Sequence, residues 1–451
     1  MNLGFVTNTK ARLIGFARSY VLDILGSGIK TGQLEIIELE GDSITLGPPE
    51  SNGIKASICV LDNTFYWRIL MSNDLGFSES YMLGEFETED LRLVARLYIE
   101  NAPQLNGLST LVHKIFSGYS SVSSYLFGRS AVRARLNAIA GYDGSNAMFQ
   151  AFLSEEMMYS CALWGDEQGG PHGDLHGNTD ERALETAQMR KIHHVLKLAR
   201  IKKGDRVLEV GSGWCGLAIE AVRKYGCTVD TVTLSVEQKR LGEERIRAAG
   251  LTSSVHVHLL DFRELPESFK GAFDAFISIE MIEHVGPLHY ETYFERVDWA
   301  LKPHHAAAVI SSSTLPEARY SAIQTPDFSR HYMWPNGSLP SATSLITAAC
   351  SASDGRLTLD TVENHGQHYP RTLREWDRRF KERVSGEVMR EIVRQQPGLS
   401  DAKKLDAFMR KWLYLFPTAE AGFSKGYLTC HMLTFVRDMD LASRQIEGVG
   451  K

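Results

Sequence analysis

In the stretch RVLEVGSGWCG, residues 206–216, a short apolar strand runs into a glycine turn in which Gly211, Gly213 and Gly216 satisfy the pattern G-x-G-x-x-G. Glycines at those places let main chain approach a ligand closely, a need shared by dinucleotide and S-adenosylmethionine sites. The neighbouring residues separate the two. Glu209 lies at the strand end two residues before Gly211, where its carboxylate would repel a pyrophosphate and attract the ammonium of a methionine moiety. A dinucleotide site also wants an acid at the end of the next strand, about 20 residues on, to hold ribose hydroxyls. Here TVDTVTLSVEQ ends that strand in Thr233, Leu234 and Ser235, and Ser235 with Gln238 makes an S-x-x-Q capping box that puts Glu237 inside the first helical turn. Besides serving a capped helix, Thr233 and Gln238 face the cleft as polar groups without charge.

The elements needed to hold such a turn alternate regularly: strand 206–210, helix 217–225, strand 228–234, helix 237–249, strands 255–260 and 273–279, helix 290–301 and strand 306–313. This alternation predicts an α/β fold, a doubly wound, Rossmann-like sheet with helices on both faces and ligands at the carboxyl ends of its strands. Residues 1–112 read as a separate small α+β domain. Its strands fall in QLEIIELEGDSITLG and KASICVLD, and its helix in TEDLRLVARLYIENAP should stop at Asn101 and Pro103. Residues 113–148, with Arg129, Arg133 and Arg135 among Ser and Gly, read as a basic flexible connector, and residues 149–451 as the domain that carries the turn.

A chain of 451 residues has room for two or three cores. Its formal charge of -6 gives no overall basic field, so nucleic acid is not an expected partner. Cys59, Cys161, Cys215, Cys227, Cys350 and Cys430 form no C-x-x-C pair, which predicts free thiols in a reducing compartment and neither a disulfide scaffold nor a metal site. The amino terminus lacks a secretory pattern and no run of about 18 apolar residues occurs, so the expectation is a cytoplasmic protein, soluble or peripheral to a membrane. In KARLIGFARSYVLDIL, Leu13, Ile14, Ala17, Val21 and Leu25 fall near helical spacing beside Lys10, Arg12 and Arg18. That suits either an ordinary surface helix or one that touches anionic lipid.

Six strings, YSCALW (159–164), VLEVGSGWCGLA (207–218), VTLSVEQ (232–238), IEMIEHVG (279–286), YMWPNGSLPS (332–341) and HYPRTLREW (368–376), resemble in order and spacing the cyclopropane-fatty-acyl-phospholipid synthases and mycolic acid methyltransferases. The likeness spans about Phe149 to Arg437. It implies a class I methyltransferase that binds S-adenosylmethionine and transfers a methyl(ene) group to the double bond of an unsaturated acyl chain in a phospholipid. Carried over where the strings match, the cofactor would meet Tyr159 and Ser160, the turn from Glu209 to Gly216, Thr233 with Gln238, and Phe262 with Arg263. Phe262 equally suits plain core packing.

The resemblance further implies a bicarbonate base held by a cysteine main chain, a glutamate, a histidine and a tyrosine. Cys161, Glu283 and Tyr369 match; the histidine does not, since Ile310 or Ser311 stands near its place. Taken alone, Cys161 reads as a small buried hydrophobe and Glu283–His284 as a helix-start pair. Ala419 in PTAEAGF replaces a cysteine of many relatives, so no covalent cysteine step is expected. Methylating an alkene leaves a carbocation in a dry cavity, and Trp164, Tyr290, Tyr293, Tyr332, Trp334 and Tyr369 are the aromatics on offer to stabilise it. Without the histidine, at least part of the product is expected to be methylated or methylene-bearing rather than cyclopropane. N-methylation of a small amine, with Glu280 or Glu283 as the nearby acid, and lipid binding by a degenerate site fit the same core. Reversible contact with a membrane surface and a homodimer complete the expected associations.

Overall fold

The computed structural model describes residues 3–49, 53–105, 144–325, 327–335 and 337–437; Arg129, Arg133 and Arg135 of the expected connector lie outside the described residues. The chain divides into two compact units, and these are not the continuous segments 1–112 and 149–451: residues 325–335 and 385–425 belong with the amino-terminal unit.

In that unit, helix α1 (Leu3–Gly28) precedes strands β1 (Gln33–Ile37), β2 (Ser43–Leu46) and β3 (Lys55–Val60), helix α2 (Thr64–Met82), strand β4 (Phe86–Glu87) and helix α3 (Leu91–Leu105). The sheet has the order β2-β1-β3-β4, with β1 and β3 parallel and the outer pairs antiparallel. Ala17 and Val21 of α1 are fully buried, and Arg18 is held by Glu38 at 2.9 Å, so this face of the amphipathic helix packs on its own unit. The helix expected to stop at Asn101 runs on to Leu105. Asn101 is buried because its side chain receives the N–H groups of Lys30 and Thr31, at 2.8 and 3.0 Å, and donates to the carbonyls of Thr31 and Leu97. Pro103 lies inside this helix, where it removes one N–H from the i→i−4 ladder. The helix Ala402–Ser424 joins this unit through ion pairs of Glu420 with Arg96 at 2.6 Å and of Arg410 with Glu87, and through Tyr414 packed against Phe77, Tyr81 and Phe328. Among the described residues no helix is long and apolar enough to cross a membrane.

The second unit carries the predicted alternation. In chain order it contains α4 (Asn146–Phe152), α5 (Ala183–Leu198), β5 (Arg206–Val210), α6 (Gly216–Tyr225), β6 (Thr228–Thr233), α7 (Val236–Ala248), β7 (Val255–Leu259), β8 (Ala275–Ile279), α8 (Tyr290–Ala300), β9 (Ala307–Thr314), α9 (Ala342–Ala352), β10 (Leu357–Asn364), α10 (Tyr369–Arg383) and β11 (Thr429–Arg437). The seven-stranded sheet has the order β10-β11-β9-β8-β5-β6-β7. Strands β5 to β9 run parallel, and β11 enters antiparallel between β9 and β10. Alternate residues feed two apolar layers, Leu208, Phe276, Ile310 and Leu433 in one and Val207, Ile277, Val309 and Met432 in the other. Both faces of the sheet are thus covered by apolar layers, and the polar side chains of Glu209 and Glu280 come at the carboxyl ends of β5 and β8. The polar loop 165–178 is pinned by fully buried Arg371, which donates to the carbonyls of Gln168, Gly170 and Asn178 at 2.7, 2.6 and 3.1 Å.

Candidate active site

At the end of β5 the chain turns through Gly211 (φ 101°), Gly213 (φ 48°) and Cys215 (φ 65°) before α6 starts. A side chain at Gly211 would be strained by its backbone and would press on Cβ of Met281 at 3.1 Å. Gly216 has another reason: a Cβ there would lie 2.1 Å from the carbonyl oxygen of Glu156, so this glycine serves chain packing. Glu209 is buried, accepts the Thr231 hydroxyl at 2.5 Å, and has its pKa pushed up to about 7 by burial, against the opposing effects of Thr231 and Lys191. Thr233 ends β6 and Gln238 lies in the first turn of α7, the Thr233 hydroxyl donating to Oε1 of Gln238 at 2.8 Å. Ser235 caps α7 by accepting the N–H of Gln238, but the amide of Gln238 turns to Thr233, so only half of the capping box forms. Past β7, Phe262 packs edge-on to Tyr293 with ring centroids 5.4 Å apart, and exposed Arg263 pairs with Asp261 at 2.5 Å.

Buried Ser160 accepts the ammonium of buried Lys191 at 2.6 Å, and Tyr159 packs on Trp376 with centroids 5.3 Å apart. Burial pulls the Lys191 pKa down to about 8, opposed by Glu280 and Glu209 among others. This lysine on α5 thus lies within the field of both carboxylates, beside Gln188, which donates to the Ser160 carbonyl at 2.9 Å. Sequence reading missed both residues; they belong to a helix whose apolar periodicity masks them.

The second group gathers around Glu280, immediately after β8. Its N–H continues the sheet by donating to the Ser311 carbonyl at 2.8 Å, and its φ of 50° is a left-handed value that is costly for a residue with a Cβ. In that conformation its carboxylate accepts the main-chain N–H of Cys161 at 2.7 Å on Oε1 and the Tyr369 hydroxyl at 2.5 Å on Oε2. The Cys430 thiol lies 4.0 Å from Oε1 and 3.8 Å from the Ser311 hydroxyl. The Cys161 N–H and the Tyr369 hydroxyl, the groups expected to hold bicarbonate, are therefore engaged by a carboxylate of the chain itself. Glu283, expected as a further holder, instead accepts the Ser313 N–H at 2.6 Å on Oε1, while its buried Oε2 has no hydrogen-bond partner among the described residues. Burial first, and then the charge of Glu280, push the Glu283 pKa up to about 8. Burial also raises the pKa of Glu280, but Tyr369, Cys161 and Lys191 all oppose the rise. Tyr369, raised well above its usual value by burial and by Glu280, stays protonated and donating. Glu280 thus has a donor on each carboxylate oxygen and Glu283 a donor on one, so the two buried carboxyls are held unequally.

Of the two residues proposed for the missing histidine, Ile310 is fully buried in an apolar layer, and Ser311 meets the Glu280 main chain. Most of the aromatics expected to face a cation are committed elsewhere. Trp164 donates to His368 and Thr372 under the guanidinium of Arg371, Tyr290 and Tyr293 are core residues, and Tyr332 donates to Glu79 in the amino-terminal unit. Only Tyr369 of that set contacts the Glu280 carboxylate among the described hydrogen bonds.

The profile of the mycolic acid cyclopropane synthetase family matches residues 130–433. The chain is 33% identical over 365 residues to tuberculostearic acid methyltransferase of Mycobacterium tuberculosis, covering 81% of this chain and 79% of that one. It is 32% identical over 330 residues to cyclopropane-fatty-acyl-phospholipid synthase of Escherichia coli, covering 72% and 76%. In fold it is similar to a cyclopropane synthase of Mycobacterium tuberculosis (TM-score 0.53, 21% identity, 67% of this chain and 98% of that one). Coclaurine N-methyltransferase shares the fold as well (TM-score 0.59, 18% identity, 80% and 98%). A family match over most of the chain, on a sheet with a glycine turn at the first strand of its parallel core, establishes that the chain belongs to the mycolic acid cyclopropane synthetase family, S-adenosylmethionine-dependent methyltransferases that modify lipid chains.

Proposed function

We propose that this protein adds the methyl group of S-adenosylmethionine to a carbon–carbon double bond of an unsaturated acyl chain, and that Glu280 takes up the proton released. The observation that carries the proposal is the Glu280 carboxylate, gripped by the Cys161 N–H and the Tyr369 hydroxyl at the seat where a bicarbonate was expected. When bound, S-adenosylmethionine supplies an electrophilic methyl. Its cationic methionine end suits Glu209, a buried carboxylate whose hydrogen-bond partner is a neutral hydroxyl, and Gly211 leaves its main chain open to close approach.

Each residue then has a definable task. The Glu280 carboxylate stabilises the positive charge that develops on the acyl chain and accepts its proton, while Tyr369 and Cys161 orient it. Glu283 remains neutral beside it, which avoids a second negative charge, and Lys191 offsets the charge of both Glu209 and Glu280. The atoms balance as CH₃⁺ gained and H⁺ lost, so the acyl chain grows by CH₂. Loss of the proton from the new methyl closes a ring; loss after a hydride shift leaves a methylene branch. A saturated methyl branch needs two further electrons from a separate hydride donor.

Access by a lipid is supported by the rim of this unit. Leu234 and Val236 beyond β6, Leu288 beyond β8 and Ile323 beyond β9 are 73%, 63%, 90% and 88% exposed, all after the carboxyl ends of parallel strands, the edge where such sheets bind ligands. Large exposed apolar side chains grouped by topology suit contact with a bilayer better than with water. The test is to incubate the purified protein with methyl-labelled cofactor and vesicles of a monounsaturated phospholipid, without bicarbonate. Mass and proton spectra of the lipid should show CH₂ gain, and Glu280→Gln should lower the rate about 100- to 10,000-fold. Methylation of small amines with no change in lipid would overturn the reading.

A further inference from the structure

Apart from these carboxylates, one cluster of the second unit has the chemistry of a metal site. His194 on α5 and His365 in the turn after β10 both bring Nε2 to the same Oε2 of Glu363, at 2.5 and 3.0 Å. The three ligand atoms lie within 4.8 Å of one another. Their carriers are firmly placed. Asn364, between the two C-terminal ligands, accepts the Gly366 N–H at 2.9 Å and the Thr429 hydroxyl at 2.6 Å, and the His365 N–H donates to the Cys430 carbonyl at 2.8 Å.

Two imidazoles and a carboxylate are the donor set of an open divalent site, in which bonds of about 2.0–2.2 Å at tetrahedral angles leave ligand atoms roughly 3.3 Å apart. The two imidazole-to-carboxylate spacings, 2.5 and 3.0 Å, need to open by under about 1 Å to meet that distance. A nitrogen-rich, borderline donor set selects zinc-class transition ions over magnesium or calcium. We propose that His194, Glu363 and His365 bind one divalent transition-metal ion of the zinc class, with the fourth position taken by water. The ion would tie α5, which carries Lys191, to the turn that leads into Tyr369. Cysteine spacing predicted no metal, and these ligands escaped notice because His194 and Glu363 are 169 residues apart in the chain.

The experiment uses the full chain, free of any histidine tag and treated with a chelator. Zinc is titrated in competition with a chromophoric chelator, and cobalt(II) is titrated while the visible spectrum is recorded. The expected result is one equivalent bound, four-coordinate cobalt bands, and a higher Tm with zinc. Glu363→Gln, which can still hydrogen-bond both imidazoles, and His194→Asn, at a position 30% exposed, should each weaken binding by about 100-fold and erase the cobalt bands. Their metal-free Tm should stay near that of the parent, which separates loss of a ligand from loss of fold. The proposal fails if the parent takes up no equivalent at micromolar zinc, or if a His194→Ala/His365→Ala double variant binds as many equivalents with the same affinity.

Discussion

Two carboxyls three residues apart, Glu280 and Glu283, are held differently because their hydrogen-bond partners differ. Glu280 receives a phenol and a main-chain amide; Glu283 receives one amide and leaves a buried oxygen unmatched. Glu283→Gln should therefore keep most activity at pH 7, since it replaces one neutral group by another, whereas Glu280→Gln should lose the chemical step. Removing the side chain, in Glu280→Ala, vacates the seat between Cys161 and Tyr369. Added bicarbonate or formate should then restore part of the rate, and kinetics with graded anion that show no recovery would assign Glu280 a merely structural role. Glu209 offers a pH readout of cofactor binding. With its pKa pushed up to about 7, and only the carboxylate attracting a cationic ligand, S-adenosylmethionine affinity should rise about tenfold from pH 6 to pH 8. Calorimetry should find this slope abolished in Glu209→Gln.

Among elements, the glycine turn separates two roles that its motif joins. Gly213 has a positive φ and open space around its virtual Cβ, so Gly213→Ala should cost only about 1–2 kcal/mol of backbone strain. Gly216→Ala would drive a methyl into the Glu156 carbonyl and force main chain apart, for about 1–3 kcal/mol or more. Thermal unfolding should rank Gly216→Ala as the less stable of the two, even though both glycines belong to one sequence pattern.

For the molecule as a whole, the buried carboxyls make stability depend on pH. An unfolded chain releases glutamate protons near 4.5, while folded Glu209 and Glu283 hold theirs until about pH 7 and pH 8. Their raised values favour folding at low pH and cost stability as pH climbs. Half-buried His365, His368 and His431 have lowered values and act in the opposite sense, but their contribution is complete by about pH 6.5, the ordinary histidine value. Lys191, lowered to about 8, favours folding only as pH rises beyond that point. Between pH 6.5 and pH 8 the carboxyls act alone among these groups, so Tm should fall across that window. In Glu283→Gln the fall should be smaller, which scanning calorimetry at several pH values can check.

Local periodicity and turn chemistry were enough to read the order of strands and helices from Arg206 to Thr314, the glycine turn and the Ser235 cap, whereas the grouping of Cys161 with Tyr369 came only from the resemblance of their strings to a family. The periodicity, the turn and the cap depend on neighbours within a few residues. The tertiary structure alone decided that Glu280 rather than Glu283 meets Cys161 and Tyr369, across separations of 119 and 89 residues. A left-handed turn at the end of β8 sets which way that carboxylate points, and hydrophobic pattern carries no record of it. Lys191 and the helix Ala402–Ser424 were illegible for a related reason. An amphipathic helix has one apolar stripe whatever it packs against, so its sequence specifies burial, and only the assembled chain selects the surface it meets.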